Sequence, residues 1–196
     1  MLRALLNKLP VSKATLIEQL QTGDNKTALT VLRRMQEMGW TQDGTLAGLD
    51  LHGAQFQNAR LARAEMAGVI LREADLTSVY FGATNLRAAD LSNAILAGGT
   101  LGDVHLAGAN LTGADLSGVH AAAADFRGAT LCGAVLKGAN LWQADLRGAD
   151  LREVDLTGAN LPGARFDEQT ILPDGQHWMP DADLERFMQL NGAGDG

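Results

Sequence analysis

The sequence has few of the residues that usually stabilise a small protein or mark its compartment. Of 196 residues one is cysteine and four are proline, and aromatic residues make up only 5%. The single cysteine, Cys132, excludes an internal disulfide and a cysteine-rich metal site. Because hydrophobic residues still reach 46%, any core must be built from aliphatic side chains, chiefly leucine and alanine.

The shortage of basic residues and the lack of a long apolar run exclude two further classes of protein. Acidic residues outnumber basic ones by 23 to 16, for a formal net charge of −7, so we expect no direct binding of nucleic acid. No apolar run approaches the roughly 18 residues of a membrane span. The apolar part of residues 1–9 is interrupted by Arg3 and Lys8, which is unlike a signal peptide. These features predict a cytoplasmic protein that does not bind a membrane.

A strict five-residue period dominates the chain from Leu46 to Phe166. Every fifth residue, called here the centre, is Leu at nineteen of 25 positions and Phe at four, and the other two are Met66 and the undersized Ala121. A small residue, mostly alanine, lies two positions before each centre, and glycine lies two positions after it in 13 of the 25 repeats. An apolar period near 3.6 predicts a helix and a period of 2 predicts a strand, so this period predicts neither.

A chain that turns a corner every five residues accounts for this period. The centre and the small residue both point inward, and glycine two positions after the centre supplies the positive φ of the third residue in a type II turn. Four corners close a square coil of about 20 residues, and coils stack at the β spacing of roughly 4.8 Å. The 25 repeats therefore predict a mainly β solenoid of about six coils.

The repeat has the consensus A(D/N)LxG, which residues 109–118 (ANLTGADLSG) match closely. It resembles the pentapeptide-repeat proteins over residues 44–168, about two thirds of the chain. The resemblance implies a right-handed quadrilateral β-helix. Periodicity alone does not provide this handedness.

Centres 20 residues apart stack into four faces, which begin at Leu46, Leu51, Phe56 and Leu61 and are numbered in that order. On the fourth face the position two after the centre is mostly not glycine, so its corners are predicted to avoid positive φ. The third face is the most uniform in charge, with three aspartates against Lys137. We therefore take as a candidate partner-binding face Asp75, Asp115 and Asp155.

Residues 1–43 lose the five-residue period and predict a helical N-terminal cap on the solenoid. Residues 2–9 carry one apolar helical stripe, Thr15 and Glu18 form a capping box for a second helix, and Asp24 or Asn25 begins a third that ends at Met38. The alternatives for this segment are a module that docks a partner and, at residues 1–9, a helix on a membrane surface.

The predicted solenoid covers residues 44–171 and ends with a last centre at Ile171. Residues 172–190 predict a C-terminal cap, with a turn at 173–175 and a short helix that begins near residue 180. Trp178, Phe187 and Met188 either cap the final coil or, as the family resemblance implies, form an end-to-end homodimer. Residues 191–196 predict a flexible tail.

The sequence offers no constellation for catalysis, a cofactor or a metal. The four histidines lack metal-ligand spacing, no base lies beside Cys132, and the glycines follow the repeat instead of a phosphate-binding loop. A rod with flat sides also lacks the concave pocket that catalysis usually needs. We therefore expect no catalytic, cofactor-binding or metal-binding residues and no enzyme activity.

Two functions remain as hypotheses. The first is a structural scaffold that binds an unknown protein partner through its rigid faces. The second follows from the resemblance, because some pentapeptide-repeat proteins look like B-form DNA, bind DNA gyrase, and inhibit it or protect it from quinolones. The net acidity favours this mimicry, whereas the mixed Asp and Arg ladders and the uninterrupted repeat argue against it.

Overall fold

In the computed structural model, which describes residues 12–189, the chain forms a β-helix solenoid. Parallel bridges join residues 20 apart, from Asp50 and Ile70 up to Asp145 and Arg165. In the described part of the chain each bridge is a single residue, because a corner every five residues leaves no room for a longer strand. The right hand of the coil stays a prediction. The predicted stripe in residues 2–9 and the tail at 191–196 lie outside the described residues.

The core is a column of stacked leucine and phenylalanine side chains with alanine between them. Every centre from Leu46 to Leu161 is buried, as are the small residues two positions before the centres from Phe56 to Leu161. Ala121 is also buried, beside the buried Val119 of the same repeat. Burial of apolar surface along the whole rod stabilises the solenoid.

Each corner is a turn in which the third residue after the centre donates its backbone N–H to the carbonyl of that centre, as Ala54 does to Leu51 at 3.1 Å. The residue two positions after the centre, which is the third residue of the turn, has positive φ whether or not it is glycine. The prediction for the fourth face is therefore wrong, since Arg63, Ala83 and Ala123 have φ of 58°, 54° and 56°.

The physical reason is that bonds between coils impose the corner conformation. The N–H of Arg63 donates to the carbonyl of Gly82 on the next coil at 2.9 Å, and the N–H of Ala123 donates to Trp142 at 2.8 Å. A left-handed backbone conformation costs a non-glycine residue roughly 1–2 kcal/mol. A different corner conformation would cost more, because it would break this hydrogen bond and misplace the next centre.

In the part of the chain that the structure describes, two helices precede the first coil: α1 (Lys13–Thr22) and α2 (Asn25–Glu37). The predicted capping box at Thr15 is wrong, because Ser12 is the N-cap of α1 and accepts a hydrogen bond from the N–H of Thr15 at 3.1 Å. Of the two candidate caps for α2, Asp24 is the one used, and it accepts from the N–H of Thr27 at 2.8 Å. Met38 is the C-cap of α2.

The helices cover the edge of the first coil and provide hydrogen-bond donors to it. Gln21 of α1 donates through its side chain to the carbonyl of Asp50 at 2.9 Å, and Gln36 of α2 donates to the carbonyl of Arg60. Leu32 and Met35 of α2 are buried in the same core as the coils. Such contacts satisfy backbone groups that an open sheet edge would expose.

The coil register shifts by one residue at the C-terminal end. The bridge from Asp150 reaches Ile171, which is 21 residues away, and the buried centre is Leu172. The prediction of an inward centre at Ile171 is therefore wrong. The extra residue lies in a wider turn. The carboxylate of Asp167 stabilises this turn by accepting hydrogen bonds from the N–H groups of Gly148 and Thr170 at 2.8 and 3.1 Å.

The segment after the last coil folds back on the rod. It includes the single-turn helix α3 (Glu185–Met188). The carbonyl of Met188 accepts from the N–H of Gly158 at 2.8 Å, and Arg186 pairs with Asp174 at 2.5 Å. The edge of the last coil thus gains a backbone partner from the same chain.

Candidate interaction surfaces

Three residues of each repeat face outward: the one before the centre, which forms the bridge, and the two after it. Repeats on one face therefore present three parallel columns of side chains, one coil apart at roughly 4.8 Å. Any interaction surface on the sides of the rod is built from these columns.

The third face brings the three predicted aspartates onto one bridge column, but they are not contiguous. Ile95 lies between Asp75 and Asp115, and Val135 lies between Asp115 and Asp155. The aspartates are thus two coils apart, roughly 10 Å. The column alternates acidic and apolar side chains, and Ile95 is exposed.

Each of these carboxylates also accepts a hydrogen bond from its own turn. Asp75, Asp115 and Asp155 accept from backbone N–H groups two residues later at 2.9–3.0 Å. Burial raises the pKa of Asp75, but hydrogen bonds from Thr77 and Gln57 outweigh it and lower that pKa below its usual value. These aspartates have a local structural role.

The first face carries arginine and aspartate side chains in direct pairs. Arg127 and Arg147 each hold the carboxylate two residues earlier with two hydrogen bonds, at 2.8 and 2.9 Å to Asp125 and at 2.8 and 2.6 Å to Asp145. Arg165 lies 3.4 Å from Asp145. Hydrogen bonds from the guanidinium groups lower the pKa of Asp125 and Asp145. Charges of opposite sign therefore compensate each other on this face.

The fourth face is the least charged and carries the most exposed aromatic groups. Trp142 and Tyr80 expose 46% and 45% of their surface. The column after the centres consists of small or apolar residues, namely Ala62, Gly82, Gly102, Ala122, Trp142 and Pro162. From residue 80 to residue 163 Asp103 is the one charged residue among the outward positions of this face. This surface can exclude water against a flat partner without leaving charges unpaired.

The concave part of this face lies where helix α2 meets the rod. A depression of about 560 Å³ is bordered by Gln36, Arg60 and Tyr80. A smaller one of about 160 Å³ continues along α2 beside Leu29 and Arg33. This groove between helix and rod is named the α2 groove.

Trp178, Phe187 and Met188 contact their own chain. The ring of Trp178 stacks on Phe166 with the ring centroids 6.1 Å apart and an interplanar angle of 16°. Phe187 and Met188 are half-buried against the core of the solenoid. These contacts lie within one chain, and Met179 of the same segment is an exposed large apolar residue.

Two absences complete the description of residues 12–189. Over this part no group of three His, Cys, Asp or Glu side chains is arranged to hold a metal ion. None of the helices within it is long and apolar enough to cross a membrane.

Sequence reasoning missed the fourth face and the α2 groove. The fourth face was readable, because its outward columns carry almost no charged residues in the printed sequence. The groove had no such signal, since it depends on the placement of α2 against residues 58–80.

Comparison with known proteins places the repeats in a family. The family model for pentapeptide repeats matches eight copies between residues 50 and 168, more than half of the chain. A comparison with curated proteins returned no match.

Several solved structures are similar to this chain. QnrB1, a plasmid-mediated fluoroquinolone resistance protein, is 20% identical, with 65% of this chain and 64% of QnrB1 covered and a TM-score of 0.36. Rfr23 from the cyanobacterium Cyanothece 51142 is 26% identical, with coverages of 64% and 89% and a TM-score of 0.24. HetL from Nostoc sp. strain PCC 7120, involved in the regulation of heterocyst differentiation, is 27% identical, with coverages of 67% and 86% and a TM-score of 0.19.

The 20-residue bridge spacing, the buried centre of each repeat and the match of the family model agree with one another. The chain therefore belongs to the pentapeptide repeat family.

Proposed function

We propose that this protein is a non-catalytic scaffold that binds another protein through the fourth face of its solenoid. The observation that carries the proposal is a flat, almost uncharged surface with Trp142 and Tyr80 exposed. Tryptophan and tyrosine are enriched among the residues that contribute most to protein association. The other faces present compensated or locally bonded charges, which contribute little binding energy.

Rigidity supports the same role. The coils are joined by backbone hydrogen bonds of 2.7–3.1 Å along all four faces, so the outward columns hold a constant spacing. A partner that matches this spacing loses little of its binding energy to ordering of the scaffold.

The test compares two truncations at equivalent positions of successive repeats. Trp142 and Lys137 each follow a centre in the same coil, on the fourth and third faces, and both are exposed. We expect Trp142→Ala to reduce the partner captured from a lysate of the source organism about tenfold or more, and Lys137→Ala to leave it unchanged. An equal effect of both variants, with unchanged thermal unfolding, would contradict the fourth face as the binding surface.

Gyrase binding by DNA mimicry is the alternative, and a supercoiling assay separates it from the scaffold proposal. DNA mimicry requires a continuous stripe of negative charge. The third face lacks one, because acidic and apolar residues alternate along its column: Asp75, Ile95, Asp115, Val135 and Asp155. We therefore expect no inhibition of gyrase and no protection from a quinolone. Activity in that assay that disappears in an Asp75→Asn, Asp115→Asn, Asp155→Asn variant would instead support mimicry.

A further inference from the structure

The α2 groove is the concave site of the fourth face. The depression beside Tyr80 and the one beside Leu29 share three lining residues, Gln36, Asn58 and Arg60, so they form one continuous channel. Gln36 donates to the carbonyl of Arg60, which ties the helix to the rod and holds the two walls together. The groove is therefore built by the tertiary structure rather than by a loose loop.

The charge of the groove is opposite to that of the protein. Arg33 of α2 and Arg60 of the rod line it, and none of its lining residues is acidic. Within residues 12–189 neither arginine has a carboxylate within ion-pair distance, whereas Arg127, Arg147 and Arg152 each hold an aspartate. In a chain with a net charge of −7, the guanidinium groups on opposite walls of this channel thus have no carboxylate partner among the described residues.

The remaining lining groups fit the backbone and side chains of a peptide. Ser78, Tyr80 and Thr100 bring hydroxyl groups, and Asn58 brings an amide. Leu29 and Leu32 bring apolar surface at the end beside α2. Side chains of an extended segment alternate between two sides, so successive acidic residues of such a segment can reach the arginine on each wall.

From this arrangement we propose that the α2 groove binds an extended acidic segment of a partner protein, with Arg33 and Arg60 pairing its carboxylates. The proposal rests on the scaffold function, because it names the chemistry of the partner at one end of the fourth face. Guanidinium groups pair with carboxylates through directed hydrogen bonds, and within residues 12–189 no carboxylate occupies either arginine.

The experiment titrates the full chain against a fluorescein-labelled hexaglutamate peptide and follows fluorescence anisotropy at low salt. Labelled hexaserine and hexalysine are the control peptides. We expect saturable binding of hexaglutamate although the protein as a whole repels it, and weaker binding as salt rises. Arg33→Gln and Arg60→Gln should each weaken binding about threefold, and the double variant about tenfold.

The matched control is Arg152→Gln, an exposed arginine of the second face that is paired with Asp150. It should leave the affinity for hexaglutamate unchanged. Absence of saturable binding, or an equal loss in Arg152→Gln, would overturn the proposal. Displacement of the peptide by an equal concentration of inorganic phosphate would also overturn it in favour of a phosphate site.

The same assay keeps the two proposals apart. Trp142 does not line the α2 groove, so Trp142→Ala should bind hexaglutamate like the unaltered protein. If the peptide does not bind while partner capture still depends on Trp142, the groove proposal fails and the scaffold proposal stands. If the peptide binds but partner capture does not depend on Trp142, the proposal that the scaffold binds its partner through the fourth face is refuted and the groove proposal stands.

Discussion

Individual residues at the corners adopt a conformation that their chemistry disfavours. Within residues 12–189 eleven non-glycine residues have positive φ, with values of 54–62°. Nine of them lie on faces one, two and four, and Asn58 and Ser78 lie at the start of face three. Asn58 and Asn93 suit the left-handed region, but Ala83, Ala88 and Ala123 do not. The alanines at these corners therefore store strain that glycine would release.

Exchange of alanine for glycine should have opposite effects at two adjacent residues of one corner. Ala123 has φ of 56°, whereas Ala122 is not among the residues with positive φ. Ala123→Gly should raise the free energy of unfolding by up to about 1 kcal/mol, because relief of strain exceeds the added chain entropy. Ala122→Gly should lower it by about 0.5–1 kcal/mol. Urea denaturation measures both, and a loss of stability in both variants would refute the argument from φ.

The undersized centre Ala121 and its neighbour Val119 share the space of one repeat. Both are buried, and Val119 stands where alanine is the usual small residue. Ala121→Leu should destabilise the protein by about 1–3 kcal/mol through overpacking, and adding Val119→Ala should recover most of that loss. Thermal unfolding of the single and double variants measures the coupling, and strictly additive losses would show that the two sites are independent.

At the scale of the coil, aspartates before the centres stabilise the corner that follows them. Their carboxylates accept from the backbone N–H two residues later, as Asp125 does from Arg127 at 3.2 Å and Asp150 does from Arg152 at 3.1 Å. Where arginine occupies that later position, its guanidinium adds two or more side-chain bonds. This explains the Asp or Asn of the repeat by turn geometry instead of by partner binding.

These bonds predict a loss of stability in acid. Hydrogen bonds from arginine lower the pKa of Asp125, Asp145 and Asp150 below the ordinary value of 3.8. The unfolded chain therefore binds these protons more readily, so the stabilisation is complete above pH 3.8 and is lost as the pH falls through the lowered pKa values. The melting temperature should stay level from neutral pH to about pH 5 and fall below about pH 4.

The Asp150 and Arg152 pair offers a control for this prediction, because within residues 12–189 neither residue takes part in any other ion pair. The double variant Asp150→Asn, Arg152→Gln should lose less stability between about pH 4 and pH 2 than the unaltered protein. An unchanged acid response in the double variant would assign the effect to other groups.

For the whole molecule, the two ends decide whether the rod stays separate or stacks. Gln21 and Gln36 donate to carbonyls of the first coil, and Met188 accepts from Gly158 at the last one. A solenoid whose end coils have such partners offers few free backbone groups to another copy.

We expect the full chain to be a monomer in solution, since Trp178 stacks on Phe166 and Phe187 packs on the core of the same chain. Light scattering should give a mass near 20.7 kDa over the accessible concentration range. A mass twice as large that returns to the monomer value in Trp178→Ala would support the end-to-end homodimer instead.

The repeat was predictable because the same short sequence pattern occurs 25 times: a large apolar centre, a small residue two positions before it and a corner after it. Even the alignment of Asp75, Asp115 and Asp155 on one column followed from counting in steps of 20. Their separation by Ile95 and Val135 was equally readable. The hydrogen bonds that engage these carboxylates within their own turns were not, because they depend on the folded geometry of each corner.

Features that join distant parts of the chain could not be read in this way. The positive φ of Ala123 follows from a bond to Trp142 on the next coil, and the extra residue before Leu172 follows from Asp167 and Gly148. The α2 groove exists because Gln36 meets Arg60. Local conformational preference and periodicity carry no information on contacts between residues that are distant in the sequence. The free energy of such a contact depends on which surfaces pack together once the whole rod and its caps are assembled.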